Sequence, residues 1–202
     1  MRIRPVLSAA AIGYLLGTFP TADLVARRVS GGDVNLRTAG SGNPGGANAL
    51  KLLGRRAGYT VMAGDIAKGA VASGVGALVA GPAGAHMAGS ASVFGHCFPV
   101  WTGFRGGKGV AASIGQCLAT FPAYFPIDLA VAAAVASTPK LKHRAFTATM
   151  FSSAAWVTGG LVWWRKGHRN LWGPRPGPAL PAAAALSSAV IAYRFVTARV
   201  PA

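Results

Sequence analysis

The sequence contains no glutamate, and its only acids are four aspartates: Asp23, Asp33, Asp65 and Asp128. Against them stand 20 lysines and arginines, for a formal charge of +16, yet charged residues make up only 12% of the 202. Soluble domains carry roughly 25%, so this chain cannot clothe itself in a mostly wet surface. Disorder is excluded as well, because 52% of the residues are hydrophobic and mean hydropathy is +0.42. Cysteine is scarce. Cys97 and Cys117 lie too far apart for a CxxC pair, which argues against a disulfide framework or zinc site and favours two small buried side chains. Nucleic-acid binding would spread Lys and Arg over a polar surface. Here they sit in short clusters between long apolar runs, the pattern of an all-α polytopic membrane protein.

The opening MRIRPVLSAAAIGYLLGTF imitates a secretory signal, but the apolar run continues to Ala26 across Pro20 and Asp23, so it reads as an uncleaved first span. Seven membrane segments are expected, at 6–26, 58–80, 83–101, 110–121, 127–138, 146–164 and 179–196, within a single domain covering 1–202. The short middle pair is punctuated by Pro122 and Pro126. Alternate connections collect Arg27, Arg28, Arg37, Lys51, Arg55 and Arg56, then Arg105 and Lys108, then Lys140, Lys142 and Arg144, and finally Arg194 and Arg199. The other face holds Arg2, Arg4, Arg165, Lys166, Arg169 and Arg175, so the first face is assigned to the cytoplasm. A six-span arrangement would move the 165–175 cluster across. The Ala/Gly/Val runs at 70–91 and 129–136 fit close helix crossings.

Three polar islands interrupt this pattern. The first, GSGNPGGANALK, spans 40–51. Its glycines, including Gly42 and Gly45, free main-chain N–H groups to converge on an anion. Ser41, Asn43 and Asn48 add side-chain donors, and Lys51 opens a region able to become helical. A plain flexible loop is the alternative. The second, GHCFPVWTGFRGGKG, spans 95–109. It is not a Walker A loop, because Thr102 occupies the required glycine position and Gly109 follows Lys108 where Ser or Thr should hold magnesium. Arg105 and Lys108 beside Gly106 and Gly107 still suit a phosphate close to bare backbone. The third, GDIAKG, lies inside a span. Asp65 and Lys68 share a helix face, as a functional pair or as a salt bridge fixing two helices. His96 is the only histidine in such an island; His86, His143 and His168 are expected at the interface.

In this order, GSGNPGGAN at 40–48, GDIAKG at 64–69 and GHCFPVWTGFRGGKGVA at 95–111 resemble the bacterial acyl-phosphate:glycerol-3-phosphate acyltransferases, the PlsY family. The resemblance covers residues 10–120 well and the remainder in hydropathy only. It implies a seven-span enzyme of the bacterial inner (plasma) membrane with its site at the cytoplasmic side. Such an enzyme moves an acyl group from acyl phosphate to the 1-hydroxyl of glycerol 3-phosphate, yielding lysophosphatidic acid for phospholipid synthesis. It implies no metal and no cofactor; the partners are the two substrates and membrane lipid. Ser41 and Lys108 are assigned to the phosphates, with the backbone of Gly106, Gly107 and Gly45 as donors and Asn48 supporting the first loop. Gly42, Asn43, Lys51, Asp65, Lys68, His96, Arg105 and Thr147 complete the expected substrate site. No Ser-His-Asp set is evident, and a substrate phosphate oxygen can take the hydroxyl proton.

The chain also departs from the family's pattern. Lys51 replaces an arginine and loses its bidentate fork, with Arg55 expected to substitute from one helical turn away. Thr147, in Arg144-Ala145-Phe146-Thr147, replaces a serine. In Tyr193-Arg194-Phe195-Val196-Thr197-Ala198, Phe195 stands where histidine is expected and Ala198 where asparagine is. HRN at 168–170 has the wrong spacing to restore that motif. A second reading therefore stands beside the enzyme: an impaired family member that binds phosphorylated lipid precursors or partners another acyltransferase. Transport is disfavoured, since no inverted repeat and no relay of buried acids is visible.

Overall fold

The computed structural model describes residues 3–139, 141 and 143–197, and among these every regular element is helical. Arg2, Lys140, Lys142, Ala198 and Arg199, used above for sidedness and the terminal motif, lie outside the described residues. The helices are α1 (Ile3–Gly17), α2 (Thr21–Ser30), α3 (Gly46–Leu53), α4 (Arg55–Cys97), α5 (Val110–Thr120), α6 (Phe125–Ser137), α7 (Arg144–Lys166) and α8 (Ala179–Thr197), with a short 3-10 turn at Val100–Thr102.

All seven expected segments fall on helices, and three stretches, Ile3–Ser30, Arg55–Thr102 and Ala179–Thr197, are long and apolar enough to cross a membrane. The expected first span is not one rod. Pro20 brings no N–H and blocks helical hydrogen bonding, while the Thr18 hydroxyl donates to Leu15 O at 2.7 Å and closes α1. The chain restarts as α2, whose exposed Arg27 and Arg28 close its last turn. The second and third segments are the two halves of α4. Its helical dihedrals fail at Ala80 and at Gly81, where φ is +61°, and Pro82 begins the return. The halves run antiparallel: Gly76 meets Gly84, Ser73 meets Gly89, and the Ser92 hydroxyl donates to Lys68 O at 3.5 Å.

Small residues make these crossings close. A Cβ on Gly13 or Gly17 of α1 would overlap the backbone of Ala88 or Ser92, and one on Gly115 of α5 would overlap Ile66 O. The 70–91 run is used in this way. The 129–136 run is not, since α6 buries no residue. Leu78 is 89% exposed, as a side chain facing lipid would be, along with Leu7, Leu15, Val71, Leu129 and Phe151. Between α4, α5 and α8, the Gln116 amide donates to Ser90 Oγ (3.1 Å) and the Ser187 hydroxyl donates to Gln116 Oε1 (2.7 Å). Buried polar groups at this depth need such partners. Cys97 and Cys117 are free and buried. His86 is buried within the bundle.

The first half of α4 is longer than its return. The excess around residues 55–64 packs against α2 and α3: Gly58 abuts Leu50, Gly46 abuts Met62, and Gly64 abuts Thr21. Ala22, Ala26, Leu36, Ala49 and Val61 form the core of this cap. At 11 residues, α5 reaches only about 16 Å, half a bilayer core. Its N-terminus follows the 106–109 loop. At its other end, Asn170 Nδ2 donates to Thr120 O at 2.9 Å, and Trp172 donates to Leu118 O at 3.1 Å. The basic 165–175 connection, including the HRN tripeptide, therefore lies at the end of α5 opposite the glycine-rich loop.

Candidate active site

Asp65 and Lys68 lie one turn apart on the first half of α4, and His96 ends the second half. The hairpin brings the three together: Lys68 Nζ is 2.9 Å from Asp65 Oδ1, and His96 Nδ1 is 3.5 Å from the same oxygen. Lys68 also donates to Phe19 O at 3.2 Å, where the break between α1 and α2 leaves a carbonyl without a helical partner. All three side chains are buried. Opposite charges in contact are what makes ionised groups tolerable there.

This cluster forms one wall of a recess of about 20 Å³, the size of a water molecule. The α1–α2 break, Arg37, Pro44, Gly106 and Gly107 form the rest, so all three polar islands meet at this point. Arg37 is clamped by Asp23, with Nη2 2.7 Å from Oδ2 and Nε 3.2 Å from Oδ1. Neither residue stood out in the sequence, where Arg37 was one charge in a basic run. Their pairing follows only when α2 and the following loop fold together.

The first loop is organised by Asn48. Its Oδ1 accepts the Ser41 N–H at 3.0 Å, and its Nδ2 donates to Leu36 O (3.1 Å) and Ala39 O (3.0 Å). Ser41 is exposed and Pro44 reaches the recess. Three expectations are corrected here. The Gly45 N–H already donates to Asn43 O at 2.9 Å, so it is not a free phosphate donor. Lys51 does not open a helix; it lies exposed in the last turn of α3, which starts at Gly46. Arg55 is not one helical turn beyond it, because Gly54, at φ +89°, breaks the chain between α3 and α4. Gly42 turns the loop by donating to Ala39 O, and Asn43 Oδ1 is buried without a partner.

The second loop does not offer the Gly106 and Gly107 backbone donors that the sequence suggested. Gly106 N–H donates to Cys97 O at 3.0 Å and Gly107 N–H donates to His96 O at 3.1 Å, so both amides are engaged with the end of α4. Glycine is required here by proximity: a Cβ on Gly106 would overlap His96 O, and one on Gly107 would overlap His96 Nε2. The carbonyls of the same two residues accept from Arg194 of α8, Gly107 O from Nε at 3.1 Å and Gly106 O from Nη2 at 2.7 Å. Arg194 thus ties the last helix to this loop. Its sequence signal was weak, since it read as a topological charge beside an altered motif.

Lys108 follows directly and is half-buried, its Nζ 4.4 Å from the centre of the Phe195 ring. Burial pushes its pKa below the usual lysine value, and the Arg194 guanidinium adds to the fall. The ion pairs among the described residues are Arg37–Asp23, Lys68–Asp65 and His96–Asp65, and none of these carboxylates neutralises Lys108. Arg105 is exposed. Thr147 lies in the first turn of α7, beside Phe146, whose ring meets Phe195 at 5.6 Å. Ser41 and Lys108 do not line the recess themselves; Pro44 and Gly107 do.

The model of the glycerol-3-phosphate acyltransferase family matches residues 7–198. The chain belongs to that family. It is 44% identical over 124 residues to the glycerol-3-phosphate acyltransferase of Exiguobacterium sibiricum, covering 61% of this chain and 59% of that one. To the enzyme of the same name from Clostridioides difficile it is 41% identical over 141 residues, covering 65% and 66%. The chain thus spans about three fifths to two thirds of the length of these relatives. The fold is similar to crystal structures of PlsY, an integral membrane glycerol 3-phosphate acyltransferase. In its lysophosphatidic acid form the TM-score is 0.71 at 26% identity, over 94% of this chain and 87% of that one. In its glycerol 3-phosphate form the TM-score is 0.70 at 25% identity, over 97% and 96%. The family match and the likeness to an integral membrane structure make the chain a helical membrane protein, in keeping with its exposed apolar side chains.

Proposed function

We propose that this family member is a glycerol-3-phosphate 1-O-acyltransferase that uses acyl phosphate as donor and releases lysophosphatidic acid. The observation that carries the reading is Lys108: an ammonium with no carboxylate partner among the described residues, next to the recess where the three polar islands converge. Both substrates and the leaving group bear phosphate, and such a cation on a rigid loop suits them. Ser41, on the loop braced by Asn48, supplies a hydroxyl to a phosphoryl oxygen. Because the Gly106 and Gly107 amides are engaged, the second loop contributes shape and the Lys108 charge instead of a nest of N–H donors.

In the reaction the 1-hydroxyl oxygen of glycerol 3-phosphate bonds to the acyl carbon, and the bond from that carbon to the phosphate oxygen breaks. Inorganic phosphate leaves with the electron pair, and its oxygen takes the hydroxyl proton. Acyl phosphate is already activated, so the protein's task is positioning and charge stabilisation. The recess is about 20 Å³, the size of a water molecule, so in this reading the substrates are taken at its mouth. The loops lie on the face that carries most of the connecting Lys and Arg, which supports a cytoplasmic site in the inner membrane.

Purified protein in detergent, supplied with acyl phosphate and glycerol 3-phosphate, tests this. Lysophosphatidic acid should form at rates abolished by Lys108→Ala and by Ser41→Ala in folded protein. Product no greater than in the Lys108→Ala control would reject the activity and favour a purely binding role. A second reading concerns the proton. His96 Nδ1 faces Asp65 while Nε2 faces Gly107, an arrangement that can orient a base. His96→Gln that retains turnover leaves the proton with the substrate phosphate. Loss of turnover in a folded His96→Gln protein assigns it to His96.

A further inference from the structure

We propose that Phe195 is a positioning residue for Lys108, its ring face seating the ammonium where it meets a phosphoryl oxygen; this rests on the reading of Lys108 as a phosphate ligand. Lys108 carries its charge on a flexible four-carbon stem, and an unrestrained ammonium samples many positions before it meets an anion. A carboxylate would restrain it but would cancel the charge the substrate needs. An aromatic face attracts the cation through its quadrupole and leaves the net charge intact. At 4.4 Å from the ring centre, Nζ is well within the range of that attraction. An ammonium has three N–H donors, and a ring on one side leaves the others for phosphate oxygens.

The ring is itself held. Phe146 of α7 meets it edge-on at 5.6 Å and 62°. Its chain neighbour Arg194 is bound to the Gly106 and Gly107 carbonyls and lies 5.3 Å from the Phe98 ring centre. Two adjacent residues of α8 therefore grip adjacent parts of one loop: Arg194 the backbone of 106–107, Phe195 the side chain of 108. The Arg194 charge opposes the Lys108 ammonium, so the ring offsets a repulsion created by the loop's own clamp. A phenylalanine where the resemblance led us to expect histidine thus takes a definite place in the site.

Graded fluorination separates this role from packing. Replacing Phe195 with mono-, di- and trifluorophenylalanine withdraws density from the ring face with little change in shape. Glycerol 3-phosphate affinity by calorimetry and kcat/KM should fall stepwise, to a total of about threefold to thirtyfold. Phe195→Leu should lose a similar factor in protein that remains folded, and Phe195→Tyr should restore most of it. A flat fluorine series, or a Phe195→Leu deficit that Phe195→Tyr fails to restore, overturns the proposal. Lys108→Ala run in parallel distinguishes the two failures. If it leaves affinity intact, the phosphate role of Lys108 falls and this inference with it. If it weakens binding while the fluorine series is flat, only the ring's role is refuted.

Discussion

Replacing Arg194 with lysine keeps a positive charge at the end of α8 but removes the planar fork that spans two carbonyls. Arg194 reaches Gly107 O at 3.1 Å and Gly106 O at 2.7 Å; an ammonium in its place can serve one of them. A hydrogen bond to a charged group contributes about 1.5–3 kcal/mol, and partial exposure of Arg194 brings the lost bond to about 1–2 kcal/mol. If the fork sets the position of Lys108, Arg194→Lys should lower kcat/KM about 5–30-fold. Arg194→Met, which loses both bonds, should cost about a hundredfold. The Gly106 and Gly107 amides remain tied to Cys97 O and His96 O, so the loop should stay folded. Steady-state kinetics with both substrates, alongside thermal midpoints in detergent, read the effect. An Arg194→Lys enzyme within twofold of the parent would refute the argument, because charge alone would then suffice.

The Lys108 pKa lies below 10.5 through burial and the neighbouring Arg194. Phosphate binding needs the ammonium, so affinity should fall as pH rises through that lowered value; Lys108→Arg, charged throughout, should lack this alkaline limb in a binding titration. Removing the Asp65 charge alone, as in Asp65→Asn, leaves Lys68 buried beside a neutral amide. That should destabilise the protein by about 3–5 kcal/mol, and Asp65→Asn/Lys68→Met should recover much of it in chemical denaturation. Gly115→Ala forces a Cβ onto Ile66 O and should cost about 1–3 kcal/mol, whereas Gly74→Ala, which meets open space, should be neutral or stabilising. Equal midpoints for the two would show that the helix crossing is looser than described.

The helical class, the approximate segments and the three polar islands were legible because they follow from local properties: apolar length, the cost of charge in lipid, and glycine density. The break after α1 was half-legible. Pro20 was visible, but its reading as a minor interruption missed that Thr18 terminates the helix. Asp65 and Lys68 were paired from their spacing, whereas His96 joined them only through the α4 hairpin. The expected backbone donors at Gly106 and Gly107 proved to be engaged for a related reason. Glycine permits many hydrogen-bond arrangements, and which one forms depends on the carbonyls that another helix presents.

By itself, then, the amino-acid order determined that this chain is a bundle of apolar helices interrupted by glycine-rich polar loops, since charge scarcity and hydropathy act residue by residue. Only the tertiary structure decided which groups meet across long stretches of chain. Arg37 was placed against Asp23, Arg194 against the 106–107 carbonyls, and Phe195 beneath Lys108. Those partners are selected by helix packing, where glycine-to-backbone contacts set the register of α4, α5 and their neighbours, and no local pattern in the sequence encodes the distance between them.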